Sequence, residues 1–216
     1  MLRAGFAALA IVLLVACNDD DTEPTPAATG QPPNALEVSS GDPDPLSPGE
    51  YTSRLFTPTP TFTVGEGWAS SLVDTQIISL ARDITADSDC LCILVPDSVY
   101  DPATASNVAL PKDLTEWFAL NPGLVTSNPS SLQVGNRAAR QMETTVAEGA
   151  ALVGGRLPLV SAGENTYSLA PGEKGHIIVI DHPDGSIVLG IRAPLDVYAD
   201  FFRQSEPVVG SLIFAD

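Results

Sequence analysis

"GHIIVIDHPDGSIVLGIRA", residues 175–193, reads as two strands folded around one turn. Apolar runs rich in β-branched residues stand on both sides of His182-Pro183-Asp184-Gly185, where Pro and Gly sit as turn chemistry favours. An antiparallel hairpin at this point commits the chain to a sheet. The segment upstream agrees. In "NRAARQMETTVAEGA" (136–150), Met142, Thr144 and Val146 face one way while Gln141, Glu143 and Thr145 face the other. That period of two is the signature of a strand.

Further strands are expected in "RLFTPTPTFTVGEGW" (54–68), which turns at Gly65 and Gly67, in "TQIISLARD" (75–83) and in "CLCILVP" (90–96), which Pro96 closes. Between them and the hairpin lies "LPKDLTEWFALNPG" (110–123). Leu114, Trp117 and Phe118 share a helical face there, and Asn121-Pro122-Gly123 stops the helix. After the hairpin, Pro194 is expected to open a second helix carrying Leu195, Tyr198, Phe201 and Phe202. "VVGSLIF" (208–214) then reads as a last turn followed by an edge strand or packed tail. The order of strands, helix, strands, helix predicts an α+β fold: an antiparallel sheet flanked by a few helices.

The N-terminal end is of another kind. Arg3 and the apolar run from about Phe6 to Ala16 read as an export signal, too short to span a ~30 Å hydrocarbon layer as a helix. Leu14-Val15-Ala16-Cys17 resembles the lipobox of bacterial lipoproteins. The resemblance implies cleavage before Cys17 and a membrane anchor of several acyl chains, palmitate among them, on that residue, since a single chain holds only marginally. Asn18 to Glu50 contains eight acids, seven prolines and no Lys or Arg. Such a segment is expected to stay disordered, a stalk stiffened by proline and extended by like charge. The expected organisation is therefore a signal peptide at 1–16, a lipidated tether at 17–50 and a folded domain at 51–216. The expected location is the outer face of the cell membrane.

The domain resembles the PsbP-like α/β/α domains, including exported lipoproteins of unknown function. Phe62-Thr63-Val64 with Gly67-Trp68, then Val99-Tyr100-Asp101-Pro102, Leu110-Pro111-x-Asp113-Leu114-x-x-Trp117 and Ser211-Leu212-Ile213-Phe214 carry the resemblance. It covers Tyr51 to Phe214. It implies the fold and a role in assembly or in binding protein partners, and it brings no catalytic residue with it.

The 216 residues carry a net charge of −17, which excludes nucleic acid as a partner because phosphate recognition needs basic patches. At 44% hydrophobic residues, the chain has enough apolar surface for a full core. Chemistry-bearing residues are sparse. His176 opens a predicted strand and His182 lies in the predicted turn, where both are expected to be exposed. Asp181-His182-x-Asp184 and the cluster Asp83, Asp87 and Asp89 offer oxygen and nitrogen donors. Neither has the glycine and bidentate Glu spacing of a calcium loop, so both read as solvated turns. The Asp19-Asp20-Asp21 run reads as a spacer. No nucleophile elbow is present, and no metal or cofactor is expected. Trp68 and Trp117, the two tryptophans, are the candidate ligand-lining residues and are able to share one pocket; core packing is the commoner fate.

Two cysteines remain once Cys17 is lipidated, and an oxidising compartment favours pairing Cys90 with Cys92. Strand geometry opposes it, since two residues at ~3.3 Å rise lie ~6.6 Å apart. Two free, core-edge thiols are expected, with a bridge at the strand entrance as the alternative. The functional expectation is a lipid-anchored, non-enzymatic binding or accessory module with an unknown protein, cell-wall or small apolar partner. An envelope hydrolase and a structural envelope component are the alternatives.

Overall fold

The hairpin at 175–193 is the centre of the molecule. The computed structural model describes residues 32–82 and 89–215, which form one body. In chain order the elements are β1 (Asn34–Ala35), β2 (Ser39–Pro45), β3 (Gly49–Thr52), β4 (Pro60–Val64), β5 (Ala69–Val73), β6 (Ile77–Ala81), β7 (Cys90–Leu94), β8 (Ser98–Asp101), β9 (Ser106–Ala109) and α1 (Leu114–Leu120). There follow β10 (Leu124–Thr126), β11 (Ser130–Val134), β12 (Arg137–Val146), β13 (Leu157–Ala162), β14 (Asn165–Leu169), β15 (Glu173–His182), β16 (Gly185–Pro194), α2 (Tyr198–Ser211) and β17 (Ile213–Phe214).

A nine-stranded antiparallel sheet runs in the order β10-β12-β15-β16-β7-β6-β5-β2, with β11 also paired to β12. The β15–β16 ladder extends from Glu173 opposite Pro194 to His182 opposite Gly185, as the hairpin reading requires. Its strands are apolar on both sides because both faces of the sheet are covered. On one face Ile178, Ile180, Ile187, Leu189, Leu91 and Ile93 pack with Phe201 and Val208 of α2 and with Phe62, from a small sheet ordered β1-β3-β4-β17. On the other face Ile177, Val179, Val188 and Leu94 pack with Phe118 of α1 and with Leu159 and Tyr167, from a second small sheet ordered β14-β13-β8-β9. Strand dominates, and among the described residues the helices number two, one to each face.

The second small sheet is locked to the central one by buried charge. Glu173 accepts from Arg156 Nη2 at 2.7 Å and Nη1 at 3.1 Å, from Arg192 Nη1 at 3.3 Å and from the Ala170 amide at 2.9 Å. Arg156 also donates to the Ser168 hydroxyl at 2.8 Å and to the Ser168 carbonyl at 3.0 Å. Beside this cluster the Tyr167 ring packs closely against Gly190. A Cβ at 190 would stand 2.4 Å from its ring carbons, so only glycine fits.

Several expectations change. The described body reaches back to residue 32, ahead of 51, because β1, β2 and the first residues of β3 lie inside the expected tether. The few apolar residues of that stretch suffice: Leu36 is buried and Leu46 packs against the core, next to the buried Tyr51 that follows. β2, which holds Pro43 and Pro45, is an edge strand, where proline is tolerated. Pro194 ends β16 rather than opening the helix, which begins at Tyr198 and leaves Leu195 exposed. α2 then continues through Pro207 to Ser211, so the expected last turn is part of the helix. β17 is the expected terminal strand and pairs with β4. Cys90 and Cys92 form a disulfide. Their Cα atoms are 5.6 Å apart rather than the ideal strand value, within reach of a bridge because a twisted strand shortens its rise. Ser79 lies beneath, its hydroxyl 3.4 Å from Cys90 Sγ.

Candidate functional site

A cleft of about 540 Å³ opens along α1. The helix exists because Leu114, Thr115 and Phe118 bury on the central sheet and Asp113 caps its start. Asp113 Oδ1 accepts from the Glu116 amide at 2.9 Å, while its two oxygens take a bidentate pair of bonds from Arg140 at 2.9 and 3.0 Å. Arg140, chiefly, and the Glu116 amide hold the Asp113 carboxyl below the usual aspartate range. The helix stops at Asn121, whose Oδ1 accepts from the Gly123 amide at 2.9 Å. Asn121 lines the cleft, is 5% exposed, and its buried Nδ2 has no partner.

Trp117 forms one wall, edge-on to Phe118 with ring centroids 5.0 Å apart. Pro102, Pro111 and Pro122 add rigid apolar surface. Asp101, Asp113 and Glu116 place carboxylates around it; Lys112 lines it as well, and Asp113 is already paired with Arg140. Asp101 is fixed by the Ala103 amide at 2.9 Å and the Thr104 hydroxyl at 3.0 Å. Leu120, on the rim, is exposed. The arrangement offers aromatic and proline surface, anionic groups and a free amide donor. It presents no Ser, Thr, Cys or His.

The two tryptophans do not share a pocket. Trp68 lies on the opposite face of the sheet, 3% exposed, its ring 5.8 Å from Phe201 and covered by the Arg82 guanidinium at 5.7 Å. It is a core residue, and Trp117 alone lines a cleft. Both histidines are more buried than expected. His176 is 7% exposed under α2, its Nε2 donating to Gln141 Oε1 at 2.8 Å and its ring 4.8 Å from Phe202. Burial lowers its pKa. The His182 side chain is 8% exposed and lines a small cavity with Thr57, Pro58 and Val95. Its Nδ1 accepts from the Asp184 amide at 3.2 Å, and Asp181 points to solvent. Asp89 accepts from the Arg82 amide at 3.3 Å; Asp83, Asp87, the Asp19–Asp21 run and Cys17 lie outside the described residues.

Sequence reasoning missed Asp101, Glu116 and Asn121 as cleft residues. Their signal was present in the segment around "LPKDLTEWFALNPG", but nothing along the chain shows that the β8–β9 turn comes to stand beside α1.

No protein-family model and no curated protein matches the chain. Among solved structures it is similar to a cyanobacterial PsbP (CyanoP) from Synechocystis sp. PCC 6803, at 12% identity and TM-score 0.43, over 78% of this chain and 93% of that one. It is similar to LpqN of Mycobacterium tuberculosis, a protein involved in cell envelope biogenesis, at 14% identity and TM-score 0.39, over 81% and 90%. A Bacteroides thetaiotaomicron VPI-5482 protein matches 73% of this chain at 8% identity and TM-score 0.39, and the chain spans 45% of its length. None of these assigns a family. Among the described residues, no helix is long and apolar enough to cross a membrane.

Proposed function

We propose that the chain is a PsbP-like, non-enzymatic binding module, anchored through lipid on Cys17 to the outer face of a membrane, that engages its partner in the α1 cleft. The cleft carries the reading. Its Trp117 and proline walls suit apolar surface, its carboxylates suit a cationic group, and the unpartnered Asn121 Nδ2 suits a carbonyl. Asp113 is held ionised by Arg140, so it does not serve as a general acid near neutrality. The partner this chemistry fits is a protein or cell-wall segment that presents a basic group beside apolar surface.

The test is site-specific crosslinking in native membranes. A photoreactive residue at Lys112 should yield discrete partner adducts that vanish in Trp117→Ala. The same probe at Leu195, exposed and outside the cleft lining, should not yield them. Identical adducts from both positions would end the cleft assignment. Separately, Cys17→Ser should move the protein out of the membrane fraction; a variant that stays processed and membrane-bound refutes the anchor.

A further inference from the structure

A second cavity, of about 200 Å³, lies beneath α2, on the face of the sheet opposite the α1 cleft. Ile178 and Ile191 of the central sheet line it, together with Phe202. His176 also lines it, beside Gln141. Because Nε2–H donates to Gln141 Oε1, Nδ1 is an acceptor, and that buried atom has no partner. A buried acceptor left unmade is costly, and a ligand donor satisfies it. Burial, the largest influence on the ring, keeps it neutral; Glu143 acts against this and Lys174 with it.

The rim gives an independent indication. Phe202, Glu206 and Gly210 follow one another at i, i+4, so one stripe of α2 borders the cavity. Glycine inside a helix is less favourable than alanine. Packing does not demand one at 210, since a Cβ there meets nothing within 4 Å. Its absence leaves the entrance wide.

We propose that this cavity binds a small neutral hydroxyl-bearing aromatic of about phenol size, whose hydroxyl donates to His176 Nδ1. An apolar cavity of about 150 Å³ accepts benzene, so the volume here admits a ring with a substituent. Phe202 and the isoleucines suit the ring. Glu206 at the rim and the net charge of −17 disfavour an anionic ligand. This site is separate from the α1 cleft and does not rest on the function proposed for it.

The experiment titrates the protein with phenol and with anisole, which has the same ring and oxygen but no donor. Amide and imidazole NMR signals are followed. Phenol should shift His176, Ile178 and Ile191 saturably, about tenfold tighter than anisole, as one buried hydrogen bond provides. Gly210→Leu should abolish the shifts, and Trp117→Ala should leave them. Equal binding of phenol and anisole overturns the proposal, as does the lack of a saturable shift or full binding by Gly210→Leu. If Gly210→Leu does not fold, the phenol-to-anisole ratio on the native chain decides alone.

Discussion

Replacing Glu173 with Gln tests whether buried charge locks the second small sheet to the central one. The Glu173 side chain is 8% exposed and accepts four hydrogen bonds, three from arginines and one from the Ala170 amide. Glutamine keeps the shape and one acceptor oxygen. It removes the negative charge and turns an NH₂ group toward donors. Breaking a buried ion pair by removing one partner costs about 3–5 kcal/mol. With two guanidinium groups and an amide losing the same carboxylate, the upper half of that range is expected. Arg156→Met should cost less, about 1–2 kcal/mol, because Arg156 is 31% exposed and Glu173 keeps Arg192 and the amide. Urea unfolding reads both. With a slope of about 2 kcal/mol per M, Glu173→Gln should lower the midpoint by roughly 2 M at unchanged slope. A drop below about 0.5 M would show that the cluster is solvated and contributes little. A larger loss for Arg156→Met than for Glu173→Gln would refute the assignment of Glu173 as its centre.

Denatured, unreduced protein should show no free thiol from Cys90 or Cys92. The double change to alanine should cost about 1.5 kcal/mol, the loop-closure value for so short a ring; two thiols per chain would contradict the bridge. Gly190→Ala should destabilise by about 1–3 kcal/mol, since Tyr167 occupies the space a methyl needs, whereas Gly210→Ala should be neutral or stabilise by up to about 1 kcal/mol. Equal melting shifts would mean that the Tyr167–Gly190 contact is not close-packed. His176 has a folded pKa below the ordinary value of about 6.5, so between the two values the unfolded chain binds more protons. Stability is therefore full above that window and falls as pH drops through it, by at most ~1.4 kcal/mol per pH unit. His176→Gln should remove this component; identical profiles for the two proteins from pH 7.5 to 5 would show that the ring is solvated.

The parts legible along the chain are those whose signal is local. Pro183-Asp184-Gly185 between two β-branched runs states a hairpin by itself, and Asp113 ahead of Leu114, Trp117 and Phe118 states a capped helix. The alternation of Met142 and Thr144 against Gln141 and Glu143 is visible because the two faces of β12 differ there. β13 and β14 went unread because Leu157–Ala162 is short, holds Pro158 and is bulged against β14, and because its partner mixes Asn, Thr and Ser with Tyr167. β1 to β3 went unread because composition averages over a segment, while pairing needs only a few buried side chains. Leu36 and Leu46 stand among eight acids and seven prolines, whose average hides them. The Cys90–Cys92 bridge turned on one ångström of Cα separation, which only the local twist of β7 supplies.

Where the candidate sites lie follows from the two-sided burial of the central sheet. Alternate residues of β12 and β15 belong to different cores, so Gln141 and His176 face α2 while Met142 and Ile177 face α1. A period of two sorts neighbours in sequence onto opposite sides of a layer; Trp68, just ahead of β5, and Trp117, on α1, belong to the two different cores so formed. The α1 cleft and the α2 cavity therefore share no side chain. Substitutions at distant sites without common partners act additively to within a few tenths of a kcal/mol. Trp117→Ala and Gly210→Leu should thus affect partner capture and phenol binding independently. If Trp117→Ala weakens phenol binding more than about twofold, the sheet transmits between its faces, and treating the two sites as separate would be wrong.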